Sequence, residues 1–352
     1  MTAPEDARRG RVLIARLDSL GDVLLTGGAV RSVAGSAARV TMLVGPRQAA
    51  TARLLPGVDA VLEFEAPWVV LDPPPLSRAA VAVLLRQIRR EHFDLALICT
   101  SFHQSPLPLA LLLRMAGVGW IGAVSDDYPG SLLDLRHAVP DDLPEAERNL
   151  ALAVAAGFSP DAAGARLAVR RPLPESRPLT GDQPYVVFHP GAATSARRPT
   201  AEHSRTLVAG LVAAGHRVVV TGSAAESTLT GFVAAGQAAD LSGRLDLPML
   251  AAVLDRASCV VAPNTGPAHL AAAVGTPVVS LFAPVVPAGR WSPYGVPVRV
   301  LGDQHASCRD TRARSCPTAG HPCLSTISPG QLVSAVDSLL GASVADRERY
   351  LT

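Results

Sequence analysis

A polar cluster stands at the predicted start of a helix in the second half of the chain. Its polar or small members are Asn264, Thr265, Gly266 and His269. Pro267 suits the first turn of a helix, where an N–H is not needed, and the hydroxyl of Thr265 can cap it. The free N–H groups at this helix start, including that of Ala268, would point at an anion, and the helix dipole favours a diphosphate. We therefore predict a phosphate site here, with His269 donating to a phosphate oxygen.

A Gly-Asp pair follows the first apolar run, RVLIAR. Gly21 and Asp22 lie where this predicted strand turns into the first predicted helix, over residues 21–33. Asp22 could be an N-terminal helix acid that the dipole stabilises. It could instead be a carboxylate that removes a proton from an acceptor hydroxyl. Its position alone leaves both roles open.

Two further loops at predicted strand ends carry polar side chains. In FHPGAATSARRP, the hydroxyls of Thr194 and Ser195 precede Arg197, whose guanidinium can pair bidentately with phosphate. In TGSAAES, Glu226 opens a helix after a strand, and an acid in that place can accept the hydroxyls of a ribose. Each loop could also be an ordinary solvated surface loop. No Walker A sequence accompanies them.

Composition and missing motifs argue against several classes of function. The formal net charge of +2 gives no electrostatic footprint for nucleic acid. No GxGxxG follows the first strand, which weakens a hydride-transfer function, and no Asp-x-Asp occurs, which weakens a metal-dependent sugar-nucleotide site. All 32 basic residues are arginine. Arginine must therefore take every role that lysine usually fills.

The five cysteines indicate a reducing compartment, because their number is odd and no signal-peptide pattern is present. Cys99 and Cys259 lie in apolar runs and are predicted to be buried. Cys308, Cys316 and Cys323 are not spaced like the ligands of a zinc ribbon. We expect these three to lie in a loose loop that is reduced or prone to form a disulfide.

Strand patterns alternate with helical patterns along both halves of the chain, which predicts an α/β architecture with parallel sheets covered on both faces. Residues 170–184 carry four prolines and no periodicity, so they are the best linker candidate. The pattern predicts an N-terminal domain over 1–175, a second domain over 184–327 and a final helix over 328–352. Ligands of such sheets bind at the carboxyl ends of the strands.

Five segments resemble, in order, the motifs of glycosyltransferase family 9, the ADP-heptose heptosyltransferases. They are RVLIARLDSLGDVLLTGGAVRSV, YVVFHPGAATSARRP, VVVTGSAAE, ADLSGRLDLPMLAAVLDRASCVVAPNTGPAHLAAAVGTPVVSLFAP and RWSPYG. The resemblance implies a GT-B fold, in which two Rossmann-like domains face each other across a cleft and the last helix crosses back to the first. It also implies inverting, metal-independent transfer of a heptose from a nucleotide sugar, with no cofactor.

The resemblance also gives roles to the polar residues. Asp22 matches the general base of the family. The positions that match its donor-binding residues are Thr194, Ser195, Arg197, Glu226, Asn264, Thr265, Gly266 and His269. Gly21, His103 and Gln104 are candidates for the acceptor side, and no metal ligand is expected.

Three departures from the family pattern fall in the donor region. Asn264 replaces the usual acid of an Asp-Thr-Gly run, Arg197 replaces a usual lysine, and the stretch 197–200 lacks the usual Lys-Arg-Trp-Pro. The first departure predicts a changed sugar or a changed sugar orientation.

The leading hypothesis is a glycosyltransferase that uses ADP-heptose or a similar nucleotide sugar. One alternative is a sugar-nucleotide epimerase on the same fold. Another is a nucleotide-sugar-binding protein without catalysis, which Asn264 favours and the Gly21–Asp22 pair disfavours. The expected acceptor is a saccharide, a lipid-linked saccharide or a small biosynthetic intermediate, and nucleic acid is not an expected partner. We expect a cytoplasmic protein with weak contact at the inner face of the plasma membrane.

Overall fold

The computed structural model describes residues 2–70 and 72–351, with side chains as far as residue 341. The chain folds into two compact units, Met1–Arg170 and Arg171–Thr352. Each unit has its own parallel sheet and its own apolar core. Within the described residues, no helix combines the length and the apolar character needed to cross a bilayer.

The first unit alternates strands and helices from its start. Its strands are β1 (Arg11–Ala15), β2 (Arg39–Val44), β3 (Ala60–Glu63), β4 (Leu95–Ile98), β5 (Trp120–Val124) and β6 (Leu135–His137). Its helices are α1 (Glu5–Arg9), α2 (Leu20–Leu24), α3 (Gly27–Ala34), α4 (Ala49–Leu54), α5 (Arg78–Glu91), α6 (Leu107–Ala116) and α7 (Glu145–Ala155). Strands β1, β2, β4 and β5 and helices α5 and α6 correspond to the apolar runs in the sequence. Burying each large apolar side chain contributes about 1.5–3 kcal/mol to folding.

All six strands of the first unit are parallel, in the order β3-β2-β1-β4-β5-β6. Strand β1 is central: Val12 pairs with Val40 of β2 on one side and with Leu95 of β4 on the other. Its residues 12–15 are fully buried, as expected for a parallel strand covered by helices on both faces. The strand order reverses between β1 and β4, so the carboxyl ends of these two strands are the expected place for a ligand.

The second unit repeats this plan. Its strands are β7 (Val186–Phe188), β8 (Val218–Val220), β9 (Ala239–Asp240), β10 (Cys259–Pro263), β11 (Val278–Leu281) and β12 (Val298–Leu301). Its helices are α8 (Arg177–Thr180), α9 (Ala201–Ala213), α10 (Ser227–Ala234), α11 (Leu247–Arg256), α12 (Gly266–Val274), α13 (Ala288–Trp291), α14 (Pro322–Ser325) and α15 (Pro329–Leu351). The helices predicted from periodicity in this half appear as α9, α10, α11, α12 and α15.

The second sheet is also parallel, in the order β12-β11-β10-β7-β8-β9. Val187 of the central strand β7 pairs with Val260 of β10 and with Val219 of β8. Strand β7 therefore takes the place that β1 has in the first sheet, and the order reverses between β7 and β10. The predicted fold class, α/β with two doubly wound parallel sheets, is confirmed.

One predicted helix is divided in two. The pattern indicated a single helix over 21–33, whereas α2 ends at Leu24 and α3 begins at Gly27. At the break, the hydroxyl of Thr26 donates to the carbonyl oxygen of Val23 at 2.6 Å. The glycine pair that follows weakens helical propensity, and Gly28 allows a close approach: a Cβ there would lie 2.7 Å from the carbonyl oxygen of Gly164. The residues of the Gly-Asp pair therefore lie in a short helix of their own.

The predicted linker packs on the second unit. The guanidinium of Arg171 pairs with Asp255 at 2.6 and 3.1 Å, and the buried Ser176 hydroxyl donates to the carbonyl oxygen of Ala252. Its residues 177–180 form α8. The prolines thus shape an ordered segment against α11.

The final helix α15 begins with a reciprocal cap. The Ser328 hydroxyl accepts from the N–H of Gln331, whose side-chain oxygen accepts from the N–H of Ser328. Leu332, Val336 and Leu339 are buried in the core of the second unit. That this helix crosses back to the first unit stays a prediction.

Candidate active site

Two polar loops follow the carboxyl ends of β1 and β4 in the first unit. Residues 16–19 follow β1, and residues 99–101 follow β4. A hydrogen bond joins the loops, because the hydroxyl of Ser101 donates to Asp18 at 2.8 Å. These loops lie where the strand order reverses, at the expected ligand position.

Asp22 is the third residue of α2 and completes a capping box with Ser19. Its Oδ2 accepts from the N–H of Ser19 at 3.2 Å and from the Ser19 hydroxyl at 2.6 Å, while the N–H of Asp22 donates to that hydroxyl. Its Oδ1 accepts from Nη2 of Arg16 at 3.0 Å. Asp22 is thus an N-terminal helix acid, as one of the two predicted roles requires. The side chain keeps 13% of its surface exposed, and its role as a base stays a prediction.

Arg16 lies beneath Asp22 with none of its side chain exposed. Its guanidinium contacts Asp18 at 3.1 Å, Asp22 at 3.0 Å and Glu145 at 3.3 Å. Burial alone would lower the pKa of Arg16, but the three carboxylates outweigh it and hold that pKa above its ordinary value. Arg16 therefore remains a cation.

For the two buried acids beside Arg16, the effect of burial outweighs the attraction of the neighbouring cation. Burial raises the pKa of Asp18 against the attraction of Arg16. Burial likewise raises the pKa of Glu145 against Arg16 and Arg148. Asp18 and Glu145 therefore take up protons more readily than ordinary carboxylates do.

The three predicted acceptor-side residues differ in their surroundings. Gly21 is buried in the first turn of α2. His103 is exposed and lies edge-on to Phe102, with 5.3 Å between the ring centroids. The side-chain oxygen of Gln104 accepts from the N–H of Ser101 at 3.2 Å, so Gln104 shapes the loop after β4. Gly21 directly precedes Asp22 of the Arg16 network, and Gln104 reaches that network through Ser101.

A small cavity of about 10 Å³ lies at the carboxyl ends of β1 and β4. Its lining includes Leu17, Asp18, Trp68, Thr100, Gln104 and Ser105. This volume admits about one water molecule. A larger pocket of about 730 Å³ lies in the second unit between the segment 171–177 and the end of α11, away from the polar loops described here.

The loop after β7 carries three of the predicted donor residues. Ser195–Arg197 form a single 3-10 turn, and Thr194 precedes it. The hydroxyl oxygen of Thr194 is buried without a hydrogen-bond partner among the described residues. Arg197 is half-buried at the end of the turn. The predicted loop therefore contains a 3-10 turn and one buried hydroxyl group without a partner among the described residues.

Two residues from the segment between Cys308 and Cys323 form hydrogen bonds with the turn at Ser195–Arg197. The carbonyl oxygen of Arg314 accepts from the N–H of Ala196 at 3.1 Å and from the hydroxyl of Ser195 at 3.4 Å. His321 lies 3.1 Å from the carbonyl oxygen of Ala196 through Nε2, so that nitrogen carries the proton. Burial lowers the pKa of His321 although this contact opposes it.

Glu226 lies beside the same loop, after β8. Its carboxylate accepts from the N–H and the hydroxyl of Ser223, each at 2.8 Å, in a second capping box. Burial would raise the pKa of Glu226, but the hydrogen bonds from Ser223 and the charge of Arg198 hold it below its usual value. A Cβ on Gly191 would collide with this carboxylate, which explains the glycine there. Glu226 is therefore an ionised acceptor beside the predicted donor loop.

His189, at the end of β7, faces Glu226 from the sheet. It is 6% exposed, and its Nδ1 lies 3.1 Å from the hydroxyl of Thr221 at the end of β8. Burial lowers its pKa to about 4, although Glu226 opposes this. The imidazole is therefore neutral near pH 7.

The opening cluster lies at the start of α12, as predicted. Thr265 occupies the N-cap position, Gly266 is the first helical residue and His269 lies buried in the first turn. The predicted cap is wrong in one respect, because the Thr265 side chain makes no capping hydrogen bond. The N–H of Ala268 is also not free, since it donates to the carbonyl oxygen of Thr265 at 3.1 Å. The structure therefore leaves fewer backbone donors for an anion than the sequence suggested.

Asn264 lies between the end of β10 and the N-cap residue of α12. It is 6% exposed, and its side-chain nitrogen has no hydrogen-bond partner among the described residues. A buried amide without a partner costs about 1–3 kcal/mol, so a ligand that accepts from it would recover that free energy.

The cysteine expectations are partly wrong. Cys99 and Cys259 are buried, as predicted. Cys308 and Cys323 are also buried in the core of the second unit, so their segment is not a loose loop. Burial, with Cys308 and Cys316 nearby, raises the pKa of Cys323 to about 12. All five cysteines are free thiols.

Among the side chains that the structure describes, over residues 2–70 and 72–341, no group of three or more His, Cys, Asp or Glu residues is arranged to hold a metal ion. The absence of a metal requirement stays a prediction.

Sequence reasoning missed several residues that the fold brings to these sites. They are Arg16, Asp18, Ser101, Glu145, His189 and His321. Arg16 gave a usable signal, since a charged residue directly after a fully apolar strand must find partners in the interior. Glu145 gave none, because it contacts Arg16 across 129 residues of sequence.

One family model matches more than half of the chain. The profile described as "Glycosyltransferase family 9 (heptosyltransferase)" matches residues 81–321, more than half of the chain. The chain belongs to glycosyltransferase family 9. The family predicted from the five motifs is thereby confirmed.

The matched share of the chain differs between the curated relative and the solved structures. Lipopolysaccharide heptosyltransferase 3 of Escherichia coli is 29% identical over 170 residues, which are 46% of this chain and 48% of that protein. The chain therefore matches about half the length of this curated relative. The crystal structure of a family 9 glycosyltransferase from Veillonella parvula is 18% identical, with a TM-score of 0.74, and the match covers 95% of this chain and 97% of that chain.

The E. coli heptosyltransferase WaaC, solved with ADP, is 19% identical with a TM-score of 0.68, and the match covers 95% of this chain and 98% of that chain. These structural likenesses support the GT-B fold. The family membership favours a glycosyltransferase over the epimerase and the non-catalytic binding protein.

Proposed function

We propose that this protein is an inverting, metal-independent glycosyltransferase that transfers a heptose or a related sugar from a nucleotide sugar to a hydroxyl group. The observation that carries this proposal is the set of polar groups at the carboxyl ends of β7, β8 and β10. They combine an ionised acceptor, Glu226, with unpartnered donor groups on Thr194 and Asn264. A nucleotide sugar offers the ribose hydroxyls and the diphosphate oxygens that such groups bind.

We assign the donor to the second unit. Glu226 accepts from the ribose hydroxyls. The turn at Ser195–Arg197 and the helix start at Thr265–Gly266 bind the diphosphate, with His269 donating to it. The dipole of α12 favours the charge that develops on the leaving group, and such preorganised donors often give the largest contribution to catalysis.

We assign the proton transfer to Asp22 in the first unit. Asp22 removes the proton of the acceptor hydroxyl while the acceptor oxygen forms its bond to the anomeric carbon. The bond from that carbon to the diphosphate breaks in the same step, so the configuration inverts and the nucleoside diphosphate leaves. Proton transfer by a positioned carboxylate contributes about 10²- to 10⁴-fold to such a rate.

ADP-heptose is the first donor to test. The similarity to WaaC, which was solved with ADP, supports an adenine nucleotide. Asn264, in place of the acid of an Asp-Thr-Gly run, supports a changed sugar or sugar orientation. We propose a saccharide, a lipid-linked saccharide or a small biosynthetic intermediate as the acceptor, used in the cytoplasm or at the inner face of the plasma membrane.

The test begins with calorimetric titration of the purified protein with ADP, GDP, UDP and dTDP in EDTA, followed by ADP-heptose. Selective binding of ADP and ADP-heptose without metal supports the proposed donor. Selective binding of another nucleotide would mean that the donor carries that nucleotide, while the proposed binding site would stand.

Binding of none of these ligands would contradict the phosphate site. Release of ADP in the presence of candidate acceptors, with the anomeric configuration of the product read by NMR, then tests inverting transfer. Turnover of the donor without an acceptor would instead support the epimerase.

A further inference from the structure

Arg16 is a buried cation shared by several acids. Its backbone N–H donates to the carbonyl oxygen of Leu43, which fixes it beside β2. None of its side chain is exposed. A buried guanidinium is costly unless hydrogen bonds and opposite charges satisfy it, so the arrangement of its partners has consequences.

Each nitrogen of the Arg16 guanidinium lies near a different carboxylate. Nε lies 3.1 Å from Asp18, Nη2 lies 3.0 Å from Asp22 and Nη1 lies 3.3 Å from Glu145. Nη2 also donates to the hydroxyl of Ser101 at 2.9 Å, and Nη1 to the side-chain oxygen of Asn149 at 3.4 Å. Arg16 is therefore shared among the three acids.

The contacts of Asp22 fix the plane of its carboxylate. Oδ2 is held by the N–H and the hydroxyl of Ser19, and Oδ1 is held by Arg16. Asn149 is itself oriented, because its amide nitrogen donates to the carbonyl oxygen of Leu25, just after α2. Helix α7 and the loop after β1 thus position the candidate base together.

Besides Asp22 on α2, charged or titratable groups reach this network from three elements. They are Arg16 and Asp18 after β1, Glu145 and Arg148 on α7, and Cys99 after β4. Burial raises the pKa of Cys99 to about 12, so its thiol is neutral. The network therefore has two cations and three carboxylates, including Asp22.

We propose that Arg16 is the positioning residue of the candidate base, and that its division among Asp18, Asp22 and Glu145 leaves Asp22 basic enough to accept a proton. This inference rests on the proposed function of Asp22. A guanidinium paired with Asp22 alone would hold that carboxylate in its charged form and weaken it as a base. With three acids, Arg16 still has Asp18 and Glu145 as partners after Asp22 becomes protonated.

The test is the pH dependence of kcat/KM, whose acidic limb reports the base of the free enzyme. Asp18→Asn and Glu145→Gln each remove a competitor for Arg16. Each should lower the pKa of the acidic limb by about one pH unit, since one neighbouring charge shifts a pKa by roughly that amount. Arg16→Lys should lower kcat at least about tenfold and leave the KM for the donor within about twofold, because a lysine cannot bridge three acids.

Glu63→Gln is the matched control, because it breaks a surface ion pair with Arg53 in the same unit. It should leave the acidic limb unchanged. If Asp18→Asn and Glu145→Gln also leave the limb unchanged while Asp22→Asn abolishes transfer, the division of Arg16 has no effect on the base and the inference is wrong. If Asp22→Asn transfers sugar at the wild-type rate, both the proposed base and this inference are wrong.

A measurement on the wild-type protein does not depend on the stability of any variant. The side-chain carboxyl carbon of Asp22, followed by NMR, should titrate in more than one step, because Asp18 and Glu145 titrate beside it. A single step at the value of an isolated aspartate would contradict the inference.

Discussion

The loops at the carboxyl ends of the two sheets differ in how their charged groups are paired. In the first unit, Arg16 and Asp22 satisfy each other and bind Ser101 and Ser19. Both units also hold buried polar atoms without a hydrogen-bond partner among the described residues, on Thr100 and Glu145 in the first unit and on Thr194 and Asn264 in the second. Both sheets have the same strand order, so the fold does not dictate this difference.

Each unit also has one capping box, so the two acids that form them can be compared directly. Asp22 with Ser19 and Glu226 with Ser223 use the same geometry at the start of a helix. Asp22 has a permanent cation beneath it, whereas Glu226 faces His189, which is neutral near pH 7. This difference fits the proposed roles, in which the acid beside a permanent cation transfers a proton and the acid beside a neutral imidazole binds the hydroxyls of a ligand.

The largest effect is expected for Asp22→Asn. It removes the proposed base and keeps the shape of the side chain, so kcat should fall about 10²- to 10⁴-fold while donor affinity stays the same. Steady-state kinetics and calorimetry measure the two quantities. Asp6→Asn, on exposed α1, is the control and should match the wild type. Loss of donor binding in Asp22→Asn would show that the first unit also holds the donor and would break the comparison.

His189 should make the protein sensitive to acid. Its pKa is about 4 in the folded protein and 6.5 when unperturbed, so the unfolded chain binds the extra proton between these values. Stability is therefore fully present above pH 6.5 and falls as the pH falls toward 4, by about 2 kcal/mol between pH 7.5 and pH 5. Urea unfolding at the two pH values measures this loss. In His189→Asn, which keeps an amide near Thr221, the loss should shrink by that amount, and an unchanged loss would assign the acid sensitivity elsewhere.

Asn264→Ala should separate ligand binding from stability. It removes a buried donor without a partner, and the cost that this relieves offsets the packing that is lost, so the free energy of unfolding should change by less than about 0.5 kcal/mol. Donor binding should weaken about tenfold, because a hydrogen bond to a charged oxygen is lost.

Ser101→Ala, in the first unit, is the matched variant for that test. It removes a hydroxyl that binds both Arg16 and Asp18, so it should cost about 1–3 kcal/mol of stability and leave donor binding unchanged. Urea unfolding and calorimetry compare the two variants. Equal losses of stability would remove the distinction between the two loops.

The smallest effect is expected at His321. His321→Ala leaves the carbonyl oxygen of Ala196 without its donor, and the donor loop should bind a nucleotide sugar about fivefold more weakly, which corresponds to about 1 kcal/mol. His321→Gln, whose amide can reach the same oxygen, should restore most of the affinity. Equal affinities for the alanine and glutamine variants would exclude this hydrogen bond as the cause.

Much of the fold could be predicted because its signals are local. Apolar runs such as 11–16 and the periodicity of α9 or α12 arise from burial of each element on its own sheet. The break between α2 and α3 was missed, because the contact of Gly28 with Gly164 is tertiary. The start of α12 at Gly266 could be predicted for the same local reason, whereas its role as a phosphate site stays a prediction.

The Arg16 network could not be predicted, because Glu145 reaches Arg16 only after α7 has packed. The single clue in the sequence was the charge of Arg16 itself, directly after β1.

The capping box at Ser19 also provides a reporter. The N–H of Ser19 donates to the same carboxylate that is proposed to receive the proton. Protonation of Asp22 would weaken this acceptor, so the amide hydrogen of Ser19 should change its NMR frequency and exchange faster with solvent. The backbone at the start of α2 would then register each change of charge on Asp22, without any probe having to be attached to the protein.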